Sequence, residues 1–202
     1  MDTVTWNLEP PLGFQGLHRD RPVTMYQRHL PHWRQPGATY FVTFRLADSL
    51  PQSKQHELRA LREDWERRNP PPRTDRQLDE LWRDVFRRVD CWLDESWGSC
   101  CLRDMRARRV MIDSLHHFDA ERYQLGCYVI MPNHVHVIVR PFADDDEALS
   151  RITHSWKRHA AREINALLGL EGQLWQDESY DRIVRDEEHL WNTIQYIYRN
   201  LR

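Results

Sequence analysis

The stretch from Tyr128 to Val139 constrains the fold most. Tyr128 to Met131 is an unbroken apolar run, Pro132 and Asn133 interrupt it, and the Val/Ile-rich segment His134–Val139 follows. Pro and Asn favour a turn, and β-branched residues favour extended chain. Strands joined by so short a turn pair antiparallel. A uniformly apolar strand belongs near the centre of a sheet, where both of its faces are covered. Side chains alternate along a strand, so His134 and His136 point the same way and Val135 and Val137 the other. Two imidazoles side by side on a rigid face can grip a metal ion. The competing reading is a pair of polar residues on the wet face of a half-buried strand.

The other elements follow from period and punctuation. In Thr39–Leu46, Tyr40, Val42, Phe44 and Leu46 share one face, and Thr39, Thr43 and Arg45 share the other. This spacing predicts the first strand. Pro51 and Ser53 open a helix with Leu58, Leu61 and Trp65 at helical spacing, and the run Asn69–Pro72 ends it. Thr74 or Asp75 caps a longer helix with an apolar stripe from Leu78 through Trp82, Phe86 and Val89 to Leu93. Asp104 can cap a third. Arg106, Arg108 and Arg109 in its first turns are electrostatically misplaced at a helix N-terminus. They imply either an anion-facing cluster or a crowded solvated surface.

The acidic run Asp144–Glu147 suits the start of a long helix that ends at Gly169, with Arg151, Lys157, Arg158 and Arg162 on its exposed side. Tyr180–Val184 reads as a short edge strand, and Asp186 caps a last helix. Residues 1 to 35 show no period and read as an irregular arm docked through Trp6, Phe14 and Trp33, or as a disordered tail. The order of elements predicts an α+β fold, an antiparallel sheet with helices packed on it.

Composition narrows the class. A length of 202 residues suits one domain, and 40% hydrophobic with 30% charged residues suits a soluble globular chain. No apolar run approaches a membrane span, and the first thirty residues lack a signal-peptide stretch, so the expectation is a cytoplasmic protein with no membrane partner. Cys91, Cys100, Cys101 and Cys127 form no CxxC pair and read as reduced structural thiols. A net charge of −2 does not advertise nucleic-acid binding, although a local basic face can hide inside it. Arg far outnumbers Lys, and Arg is the better phosphate fork.

On the last helix the apolar face centres between Leu190, Ile194, Ile197 and Leu201. Tyr198 then falls at the edge of that face as a packing residue. Tyr196 falls on the polar side with Asn192 and Asn200 one turn away, free to meet something polar.

Taken together, Met-Pro-Asn before His134-Val135-His136, Ser155-Trp156-Lys157, Leu174-Trp175-Gln176, Tyr180–Asp186 and Tyr196-Ile197-Tyr198-Arg199-Asn200 resemble the HUH single-tyrosine transposases, above all the REP-associated tyrosine transposases. The resemblance is strongest from about Arg122 to Asn200. It implies a ferredoxin-like HUH fold over 36–202, with a helical insertion at about 52–118. It implies that His134 and His136 bind a divalent metal, that Asn200 completes the shell, and that Tyr196 is the nucleophile. It also implies a single-stranded DNA hairpin as partner, a homodimer, and cleavage that leaves a 5′-phosphotyrosine and a free 3′-hydroxyl. Two imidazoles and an amide oxygen suit Mg²⁺ or Mn²⁺. Lys157, Arg158, Arg162, Arg182, Arg185 and Arg199 are the candidates to follow the DNA backbone.

The family usually reads Asn-Pro and continues, whereas here Leu201 follows Asn200. The alternative expectation is a truncated, catalytically silent DNA-binding module of the same family. A histidine-triad nucleotide hydrolase needs a further histidine where Ile138 stands.

Overall fold

The computed structural model describes residues 6–27 and 31–201. The Pro132–Asn133 turn forms as the sequence predicts: Met131 N donates to His134 O at 2.9 Å. It joins strand β5 (Tyr123–Ile130) to β6 (His134–Pro141). Strand β4 (Tyr40–Arg45) pairs with the other side of β6 and with β7 (Tyr180–Ile183). Strand β1 (Trp6–Asn7) adds an edge to β5, giving the order β1-β5-β6-β4-β7, antiparallel throughout. Without β1 this is the β-α-β-β-α-β arrangement of split βαβ units. The fold is α+β.

Helices cover both faces. On one face, Tyr40, Val42, Phe44, Val135, Val137 and Val139 pack with α3 (Met105–His116) and α4 (Ala148–Leu168). On the other, Phe41, Val129 and Ile138 pack with α5 (Glu187–Arg199). Helix α1 (Gln52–Arg68) lies against α2 (Asp75–Asp94) through Leu58, Leu61 and Trp65. Helix α2 reaches the α5 side of the sheet through Phe86, whose ring centroid lies 6.2 Å from that of Phe41 and 4.1 Å from that of Tyr180.

The caps lie where sequence placed them. Thr74 and Gln77 form a reciprocal capping box, Asp104 accepts from Arg106 N, Asp186 accepts from His189 N, and Gly169 closes α4 at φ 65°. The basic cluster of α3 is satisfied within the chain. Arg106 pairs with Asp104 at 2.7 Å, Arg109 with Asp113 at 3.0 Å, and Arg108 Nε donates to Leu102 O. No helix among the described residues is long and apolar enough to cross a membrane, and all four cysteines are free.

Within the first thirty-five residues, the described positions 6–27 and 31–35 carry strands where an irregular arm is expected, and positions 1–5 and 28–30 of that arm lie outside the described residues. Besides β1 the described positions carry a ribbon, β2 (Thr24–Gln27) against β3 (Pro31–Arg34). Phe14 and Trp33 pack on the two cores, while Trp6 stays 42% exposed and is no anchor. Gly126, at the β5 bulge, admits Pro11, because a Cβ there would lie 2.6 Å from Pro11 Cδ. The ribbon is held by a side chain that periodicity does not reveal. Asp181 of β7 is buried, and it accepts from Arg34 Nη1 at 2.5 Å and contacts His32 Nδ1 at 2.6 Å. Burial works against its charge, but the His32 bond and the Arg34 guanidinium outweigh burial and hold its carboxyl below the usual range.

Asp181→Ala leaves the buried Arg34 and His32 facing a void, so the expected loss is about 3–5 kcal/mol of unfolding free energy in urea titration. A loss under about 1 kcal/mol would show that the ribbon is not held by this carboxylate.

Candidate active site

Strand β6 carries His134 and His136, and both are fully buried beneath α5 and α2. Their rings meet edge to face, with the two Nε2 atoms 3.0 Å apart. The other ring nitrogens are already engaged. His134 Nδ1 lies 2.8 Å from Asn133 Oδ1, and His136 Nδ1 lies 2.8 Å from Thr43 Oγ1.

Asn133 is held by its own amide, whose Nδ2 donates to Leu93 O and Trp97 O at 3.2 Å each. Its Oδ1 is therefore the atom presented to His134, and a carbonyl oxygen only accepts. The proton of His134 sits on Nδ1, which leaves Nε2 with a bare lone pair. Burial also drives both rings neutral: His134 falls to about 3, and His136 is pushed well below the ordinary histidine range by burial and by His134. A neutral imidazole with an inward lone pair is a metal ligand, and His136 Nε2 faces the same point.

Asp90 on α2 completes the group. Its Oδ1 lies 3.7 Å from His136 Nε2, and the ligand atoms of Asp90, His134 and His136 all lie within 4.8 Å of one another. Burial raises the Asp90 carboxyl to about 6, against a smaller lowering by its bond with Tyr196. Tyr196 reaches in from α5. Its hydroxyl donates to Asp90 Oδ1 and stands 3.3 Å from His136 Nε2. Its ring packs at 5.2 Å from that of His136 and edge-on to Phe41 at 5.8 Å. Burial first, then the charge of Asp90 and the bond to it, push the phenol far above the ordinary tyrosine range. The cluster thus fits a divalent cation: two neutral nitrogens, one carboxylate oxygen and a phenol on its rim.

Sequence reading placed His134, His136 and Tyr196, and the structure brings them together. It did not include Asp90. The available signal was a carboxylate four residues after Phe86 and three before Leu93, on the flank of the apolar stripe of α2. Asn200 caps α5, and its Nδ2 donates to Tyr196 O at 2.9 Å.

The edge-of-core expectation for Tyr198 is overturned, since Tyr198 is 44% exposed. Thr193 is buried beside Leu190, Ile194 and Ile197, so the buried arc of α5 turns toward Tyr196 and away from Tyr198. The physical reason is the second wall provided by α2, which a face computed from the apolar residues of α5 alone leaves out.

The basic candidates diverge as well. Lys157 Nζ donates to Gln176 O and Asp177 O at 2.5 and 2.7 Å, and burial lowers it to about 8; it ties the 173–178 loop to α4. Arg158, Arg162, Arg185 and Arg199 are exposed, and Arg182 is half-buried. Arg162 pairs with Glu163 at 2.7 Å.

No protein-family model and no curated protein matches the chain. Among solved structures it is similar to a REP-associated tyrosine transposase bound to a REP hairpin, at 17% identity over 88% of this chain and 72% of that one, with a TM-score of 0.38. It is also similar to a protein from Deinococcus radiodurans described as a transposase, at 12% identity over 80% of this chain and 89% of that one, with a TM-score of 0.32.

Proposed function

We propose that this chain is a metal-dependent single-stranded DNA endonuclease and strand transferase of the HUH single-tyrosine type, acting on hairpin DNA. One observation carries the reading: Tyr196, on the last helix, places its hydroxyl at the His134–His136–Asp90 cluster formed by β6 and α2. A phenol used only for packing has no need of two neutral imidazoles and a carboxylate around its oxygen.

The residues that would hold the cation are His134 and His136 through Nε2 and Asp90 through a carboxylate oxygen, with Asn200 as the further candidate from sequence. Mg²⁺ or Mn²⁺ suits a shell containing a carboxylate. Bound there, a divalent ion would neutralise the non-bridging phosphate oxygens and hold the diester in line.

The chain supplies the rest. Tyr196 Oη attacks phosphorus, and its proton passes to Asp90, to which it is already hydrogen-bonded. The P–O3′ bond breaks, a Tyr196–O–P bond forms, and the leaving 3′-oxygen takes a proton to become a free 3′-hydroxyl. Rejoining runs the same exchange backwards on a new 3′-hydroxyl, so the covalent step preserves the bond for transfer. Arg158, Arg162, Arg185 and Arg199 are the exposed cations for the backbone, and a homodimer is the expected assembly.

The test is a denaturing gel with labelled single-stranded hairpins from the genomic flanks of the coding region. In Mn²⁺, the label is expected to migrate with the protein, and EDTA is expected to abolish the adduct. Hairpin binding by folded protein without any adduct would favour the silent binding module.

A further inference from the structure

A second cavity lies beside β7, at the edge of the sheet. Its volume is about 390 Å³, and Leu17, Trp33, Arg76, Asp79, Arg182 and Arg185 are among the residues that line it. That size stands at the small end of ligand pockets, which span about 300–1,000 Å³. Arg182 lies directly across from Phe41 in the β4–β7 register, and the Phe41 ring lies 5.6 Å from that of His136. Phe41 therefore neighbours both the strand that lines the cavity and the candidate active site.

Its lining combines two chemistries. Trp33 and Leu17 offer apolar wall, and Trp33 is only partly buried. Arg76, Arg182 and Arg185 offer guanidinium, while the Asp79 carboxylate is bridged by Arg83 at 2.8 Å and Arg185 at 3.5 Å. The balance at the cavity is cationic. Burial, then Arg182 and Arg185, push the nearby His189 imidazole down to about 4. Arg182 Nε is buried and has no hydrogen-bond partner among the described residues. A buried donor in that condition is rare.

We propose that this cavity binds one nucleotide unit, its base against Trp33 and its phosphate on Arg182 and Arg185. A bare anion would leave the tryptophan wall unused, and an apolar ligand would leave the cationic wall of Arg182 and Arg185 unused. A planar base bearing a phosphate uses both, by stacking and by forked hydrogen bonds. The unit can come from an unpaired position in a DNA strand or from a free nucleotide. The inference deepens the DNA-processing reading by naming where an unpaired nucleotide would be held.

The experiment is fluorescence anisotropy of fluorescein-labelled pentathymidylate on the full chain, with dTMP and inorganic phosphate as competitors. Arg182→Gln and Trp33→Ala are each expected to weaken binding at least tenfold, and Trp33→Phe to stay near wild type. Mn²⁺ affinity at the histidine cluster is expected to remain unchanged in all three. Displacement by dTMP at concentrations where phosphate has no effect supports the site and identifies a free nucleotide as sufficient. Arg182- and Trp33-dependent binding of the oligonucleotide alone supports it with a strand as the source. Wild-type affinity in both Arg182→Gln and Trp33→Ala overturns it, as does phosphate competing equally with dTMP. Loss of the covalent adduct with this binding intact would fault the nuclease reading and leave the pocket standing.

Discussion

Replacing Tyr196 by Phe will abolish the protein–DNA adduct, and replacing Tyr198 by Phe will leave it at the wild-type level. The first outcome follows from atom balance, because Phe has no oxygen to bond phosphorus. It removes a hydroxyl that donates to Asp90 and lies 3.3 Å from His136 Nε2, yet it keeps the ring that packs on Phe41 and His136. The fold is therefore expected to survive, and Mn²⁺ binding with it. The second outcome follows from the exposure of Tyr198 on the far side of α5.

The comparison is made on denaturing gels with equal amounts of folded protein. An adduct surviving in Tyr196→Phe would sink the assignment. An adduct lost only in Tyr198→Phe would move the nucleophile to the outer face of α5 and require that helix to rotate on binding DNA. Since burial and the charge of Asp90 hold the Tyr196 phenol far above its ordinary range, the metal-free protein is expected to be inert at neutral pH.

Local rules carried much of this site. The Pro132–Asn133 turn, the shared face of His134 and His136, and the Asp186 cap of α5 all follow from residues within a few positions of one another. Those rules rest on period and turn chemistry, which the final packing reinforces. What stayed hidden depends on contacts distant in sequence. Asp90 meets Tyr196 across 106 positions, and a charged residue on an amphipathic helix gives no sign of which neighbour it will face. The same wall of α2 turned Tyr196 inward and Tyr198 outward. Asp181 was silent for a similar reason. Its strand is short, and the partners that justify burying a carboxylate come from β3 in a stretch without period. Asn133 lay in plain view as a turn residue, but its hold on the His134 tautomer depends on carbonyls of Leu93 and Trp97.

Asp90→Asn should separate stability from function, because the native protein holds this carboxylate against its own solvation. Burial raises its pKa from 3.8 to about 6. Below about pH 4 the group is protonated in both folded and unfolded chains and contributes nothing. Between about pH 4 and 6 the unfolded chain ionises first, the folded chain binds more protons, and stability falls as pH rises. Above about pH 6 the full cost is present. At 1.36 kcal/mol per unit, with a discount for partial exposure, it comes to about 2 kcal/mol.

Asn removes the charge and keeps an acceptor for the Tyr196 hydroxyl. In EDTA, urea unfolding is expected to show Asp90→Asn more stable than wild type by about 2 kcal/mol at pH 8 and equal to it below about pH 4. A variant equally stable or weaker at every pH would mean that the carboxylate is not strained in the metal-free fold. In Mn²⁺ the order should reverse. An amide is a poorer ligand and a poorer proton acceptor than a carboxylate, so metal affinity is expected to fall at least ~10-fold and the adduct to fade with it. A residue retained at a cost to the empty fold and needed by the loaded one is what a catalytic metal ligand predicts, and a merely structural Asp90 would show neither half of that pattern.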